Sequence, residues 1–97
     1  MKVTWDEPKN LTNREKHGVS FEEAGALFTQ DIDYFEIFDE AHAEDEDRFI
    51  AIGPISRGLV LVVYTQQDEE TVRIISARWA TDRESEMYRS NFGGTAP

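Results

Sequence analysis

No cysteine occurs among the 97 residues, so no disulfide can brace the fold. No apolar run approaches the roughly 18 residues that cross a bilayer as a helix, so no membrane partner is expected. The opening MKVTWDEPK lacks the apolar core and small-residue cleavage site of a secretory signal, which points to the cytoplasm. A length of 97 residues, without internal repeats or linkers, gives the expectation of one domain over residues 1–97 with a frayed tail at 92–97, and no nucleotide-phosphate loop or nucleophile motif favours a different enzyme on its fold. Lys and Arg are absent from residues 21–47, which carry eleven acids, more than the whole net charge of −10. The flanking segments are close to neutral. A face clear of the acidic segment can therefore still engage RNA, while the segment itself suits a basic protein.

What is present reads as alternating short elements. KVTWD at 2–6 favours a strand, and Asp6 with Pro8 opens a helix over Glu7–His17 that Gly18 ends in the left-handed conformation. Lys16 and His17 fall in its last turn, where cations complement the helix dipole. Ser20 and Glu23 form a capping box, with Phe21, Ala24, Leu27 and Phe28 on one apolar face, predicting a second helix over 21–29. From Asp33 the periodicity becomes extended, with strands expected at 33–39, 48–55, 59–65 and 71–77 and polar turns at 40–47, 56–58 and 66–70. LVLVVY at 59–64 is apolar throughout, which suggests a central strand covered on both faces and hints at assembly. Thr81 and Glu84 open a last helix over about 82–91. The order β-α-α-β-β-β-β-α is an α+β domain with a four-stranded antiparallel meander packed by helices.

Four stretches resemble the BrnT toxin family: WDEPKN at 5–10, KHGVSFEEA at 16–24, DRFIAIG at 47–53, and RIISAR with Thr81 and Glu84 at 73–84. The resemblance implies a RelE-like fold, RNA cleavage without a metal or other cofactor, growth arrest, and neutralisation by a BrnA-like antitoxin. That antitoxin would be a basic ribbon-helix-helix protein, and operator DNA would be reached only through it. Position by position, the family pattern carries over to Lys16, His17, Arg48, Arg73 and Arg78. The chain departs from it in its acidity at 39–47 and in Trp79.

Metal-free RNA cleavage needs a base for the 2′-hydroxyl, positive charge for the phosphorane and an acid for the leaving oxygen. His17, with an ordinary pKa of about 6.5, suits proton transfer, but it equally suits a solvated helix end. Arg73 interrupts a β-branched strand, either as a phosphate ligand or in a structural salt bridge. Strict alternation puts Arg73 and Arg78 on opposite faces; they converge, with Arg48 on a neighbouring strand, only if the strand twists, ends or bulges before 78. Asp45, Glu46 and Asp47 lack metal-ligand spacing and suit a solvated loop or a docking surface for a basic antitoxin. His42 reads as an exposed loop residue, and Trp5 and Trp79 as core or interface anchors. A catalytically inert antitoxin-binding module, acting in operon control, is the alternative to a ribonuclease.

Overall fold

The computed structural model describes residues 1–40 and 46–92. Strand β1 spans Lys2–Thr4, followed by helices α1 (Glu7–His17), α2 (Phe21–Ala24) and α3 (Ala26–Thr29). Strands β2 (Phe35–Phe38), β3 (Arg48–Ile55), β4 (Gly58–Asp68) and β5 (Thr71–Trp79) come next, and α4 (Asp82–Asn91) closes the described chain. The strands form one sheet in the order β1-β5-β4-β3-β2. The expected antiparallel meander is present as β2 to β5, but the sheet has a fifth member, β1, which pairs in parallel with β5. The expected second helix is two short ones that meet at Gly25. His42, Glu44, Asp45, most of the turn at 40–47 and residues 93–97 lie outside the described residues.

Local chemistry explains the helix ends. The Asp6 carboxylate accepts from the Lys9 N–H at 3.2 Å, and Gly18, at φ 74°, returns its N–H to the Arg14 carbonyl. Both expected capping boxes form, at Ser20/Glu23 and at Thr81/Glu84. Each satisfies backbone donors that a helix start leaves unbonded.

Helix α1 is unusual because its buried side chains are asparagines, not hydrocarbons. Asn10 Nδ2 donates to Glu22 at 2.8 Å while its Oδ1 accepts from the Phe21 N–H. Asn13 Nδ2 donates to the Val19 carbonyl at 3.0 Å and the Ala77 carbonyl at 2.7 Å, and Asn13 Oδ1 accepts from the Ala77 N–H. The Asn13 amide thereby acts as a strand neighbour to β5 beyond the point where β1 ends.

The main core lies between α1–α3 and one face of the sheet. Phe21, Ala24, Leu27 and Phe28 pack there on Ala51, Val60, Val62, Tyr64, Val72 and Ile74. Each large side chain so buried contributes roughly 1.5–3 kcal/mol of transfer free energy. Gly53 permits this close approach, since a Cβ there would sit 2.8 Å from Leu27 Cδ2. On the opposite face, α4 packs against β2 and β3, and Ile52 and Leu61 are buried. The second face of the sheet is thus covered at β2 and β3 by α4 of the same chain.

Candidate functional site

Cross-strand register decides which arginines can act together. β4 pairs with β5 through Val63↔Ser76 and then Tyr64↔Ile74, so Ile75 is an extra residue in β5. This β-bulge reverses the alternation. Arg73 is opposite Thr65 and Arg78 is opposite Leu61; because 61 and 65 share a face of β4, so do Arg73 and Arg78. Arg48 is opposite Thr65 as well, which adds it to the same face. Arg48, Thr65 and Arg73 therefore form one row across β3, β4 and β5. Arg48 is not on a strand neighbouring β5: β4 intervenes, and two strand spacings put its Cα roughly 10 Å from that of Arg73.

Arg78 lies two rows further along, about 13 Å by strand rise. Its guanidinium is already bound to Glu84, with Nη1 to Oε1 at 2.8 Å and Nη2 to Oε2 at 2.9 Å, and it donates to the Trp79 carbonyl at 3.3 Å. The structural salt bridge that the sequence allows at Arg73 is found at Arg78 instead. Among the described residues, neither Arg73 nor Arg48 has an ion pair. Among the described residues, the ion pairs seen are Arg57–Glu23 and Arg78–Glu84, and they leave Arg48 and Arg73 of this face out.

The bulge also joins this face to α1. Pro8, Lys9, Thr12, Asn13, Lys16 and His17 line an open groove of about 380 Å³ together with Ile75 and Ser76 of β5. Lys16 is exposed and His17 half-buried. Ser76 belongs to both places: it lines the groove, and by register it sits between Arg73 and Arg78. A polar residue in TVRIISA is the only signal that could have singled it out. Among the described residues no three His, Asp or Glu side chains gather as a metal-ligand set.

Other polar groups serve the fold. Arg57 binds Glu23 through Nε at 2.7 Å, donates to the Gly18 carbonyl and lies 5.0 Å from the Trp79 ring centroid, so Trp79 is a packing anchor. Trp5 meets Phe21 edge-on and donates to Glu7. Tyr64 of β4 donates from its hydroxyl to Glu36 Oε2, and burial pushes that phenol well above its ordinary range. The Tyr64 pair lies on the face covered by α1–α3, away from the arginine row.

Glu23 and Glu84 are held at about 2, chiefly by hydrogen bonds from Arg57 and Arg78 respectively. A depressed carboxylate pKa stabilises the fold above its unfolded value of about 4.5, and the contribution is lost as pH falls towards 2. Glu84, with 20% side-chain exposure, contributes more than Glu23 at 35%, where solvent screens the pair. The expected result is a melting temperature that drops between pH 4.5 and 2 and drops less in Glu84→Gln; parallel pH profiles for the two proteins would contradict this.

A sheet with helices on both faces, a cationic row across three strands and a basic groove beside it define the class by comparison with known families. The family model for the ribonuclease toxin BrnT of type II toxin–antitoxin systems matches residues 5–84. The chain belongs to the BrnT family. It is similar to the Brucella abortus ribonuclease toxin BrnT in its crystal structure, at 31% identity over 84% of this chain and 99% of that one, with a TM-score of 0.62. No curated protein matches it. Among the described residues, no helix is long and apolar enough to cross a membrane.

Proposed function

We propose that this chain cleaves RNA in the cytoplasm without a metal, arrests growth by doing so, and is held inactive by a BrnA-like antitoxin. The observation that carries the reading is Arg73, without an ion pair among the described residues, on the face of β5 that it shares with Ser76, a lining residue of the Lys16–His17 groove. A phosphodiester at Arg73 would meet a fixed cation as negative charge builds on phosphorus. His17, or Lys16, takes the 2′-hydroxyl proton; the 2′-oxygen bonds to phosphorus and the bond to the 5′-oxygen breaks. The 5′-oxygen then takes a proton from water, and the protonated base returns its own to solvent, leaving a 2′,3′-cyclic phosphate and a 5′-hydroxyl. Arg48 holds the backbone further along the row. Arg78 acts from behind, with its charge largely spent on Glu84. The helices on both faces of the meander support a RelE-like fold.

The inert-module reading draws on one observation, the Arg78–Glu84 pair, which removes a cation from the site. Purified protein incubated with total cellular RNA separates the two. Degradation that stops when a basic ribbon-helix-helix antitoxin is added is the expected result. Intact RNA with a folded protein that binds antitoxin tightly would leave the interaction module. Under the ribonuclease reading His17→Ala slows cleavage; an unchanged rate in a folded variant would remove His17 from proton transfer.

A further inference from the structure

Among the described residues, two buried side-chain polar atoms have no hydrogen-bond partner: Arg48 Nε and Thr65 Oγ1. They belong to directly opposed residues on one face, and Thr65 is opposed on its other side by Arg73. Thr65 is only 3% exposed. A buried hydroxyl left unbonded destabilises a fold, and a valine of nearly the same shape would carry no such penalty. The sequence nonetheless places threonine there, opposed by Arg48 on one side and Arg73 on the other.

Both orphaned groups can donate. The hydroxyl O–H and the guanidinium N–H suit the non-bridging oxygens of one phosphate, and hydrogen bonds to an ionised acceptor are the strong kind. Both flanking arginines are half-buried and stand outside the ion pairs seen among the described residues, so both can shift to admit a ligand. We propose that Thr65 and Arg48 form a second phosphate subsite, which binds the phosphodiester next to the one at Arg73. The proposal rests on the ribonuclease reading for the source of that phosphate. The separation of roughly 10 Å between the Arg48 and Arg73 Cα positions leaves room for two phosphates along the row. Free inorganic phosphate shares this chemistry.

The test is calorimetric titration of wild type, Thr65→Val and Thr65→Ser with a short 2′-O-methyl oligoribonucleotide and with inorganic phosphate, beside thermal melts. Thr65→Val is expected to bind the oligonucleotide about tenfold less tightly while melting at or above wild type, and Thr65→Ser to recover most of the affinity. Wild-type affinity in Thr65→Val would overturn the proposal. So would a marked fall in its melting temperature, which would show the hydroxyl to be satisfied within the fold. Wild-type protein that binds inorganic phosphate through Thr65 but not the oligonucleotide, or that binds neither probe, also overturns it. The oligonucleotide has no free 2′-hydroxyl, so binding through Thr65 by a protein that leaves ordinary RNA intact would sink the ribonuclease reading and leave the subsite standing.

Discussion

Arg73→Ala is expected to slow RNA cleavage by about 10²- to 10³-fold while the protein stays folded, the usual scale for removing one group that meets developing transition-state charge. The expectation follows from where Arg73 stands. It is half-buried in β5, opposed by Thr65, and has no ion pair among the described residues, so truncating it strands no carboxylate. Arg78→Ala should give the opposite balance. It leaves Glu84 without its bidentate partner, so stability suffers more and cleavage less. Single-turnover cleavage rates with matched thermal melts check the pair of variants. Equal rates for Arg73→Ala and wild type would remove Arg73 from the chemistry.

Asn13→Ala is expected to be the most damaging small substitution in the fold. It deprives the Val19 carbonyl and both backbone groups of Ala77 of their partners. An orphaned buried group costs about 1–3 kcal/mol, so three of them cost about 3–9 kcal/mol, a large share of the roughly 5–15 kcal/mol typical of a whole domain. The function is exposed to the same change, because this amide docks α1 on β5 and so holds Lys16 and His17 beside Ile75 and Ser76. Chemical denaturation of both proteins measures the difference. A loss below about 1 kcal/mol would mean that water replaces the amide at β5.

The contrast between Asn13 and Gly18 shows what sequence can carry. Gly18, Asp6 and the two capping boxes act within three or four residues, so their chemistry is written in adjacent letters and the helix ends follow. At Gly25, where the expected 21–29 helix divides in two, a Cβ would sit 3.1 Å from the Phe21 carbonyl oxygen and 3.4 Å from Val3 Cγ1, a close approach that the letters alone do not display. The parallel pairing of β1 with β5 joins residues about seventy apart, and a three-residue strand has no pattern that names its partner. Asn13 gives no local signal, because its partner Ala77 is distant in the sequence.

The candidate site divides along the same line. Lys16, His17, Arg48, Arg73 and Arg78 were legible as residues, through the family resemblance. Their grouping was not, because it depends on one extra residue in β5 that no side chain announces. The bulge was legible only as a condition for Arg73 and Arg78 to share a face. Charge assignment was hidden for a related reason. Glu84 looked like a helix cap and is one, but its carboxylate also takes both Nη atoms of Arg78. Thr65 carried no signal at all, since an unbonded hydroxyl exists only once the neighbours on β3 and β5 are in place.

The central claim is that this chain cuts RNA through the 2′-hydroxyl and without a metal. It is tested most directly by incubating the purified protein, in excess EDTA, with an RNA oligonucleotide and with its 2′-O-methyl counterpart, and reading the product ends by mass spectrometry. The account predicts 2′,3′-cyclic phosphate and 5′-hydroxyl ends from the RNA alone. Intact RNA in EDTA with cleavage restored by a divalent cation, or cleavage of the 2′-O-methyl strand, would contradict it.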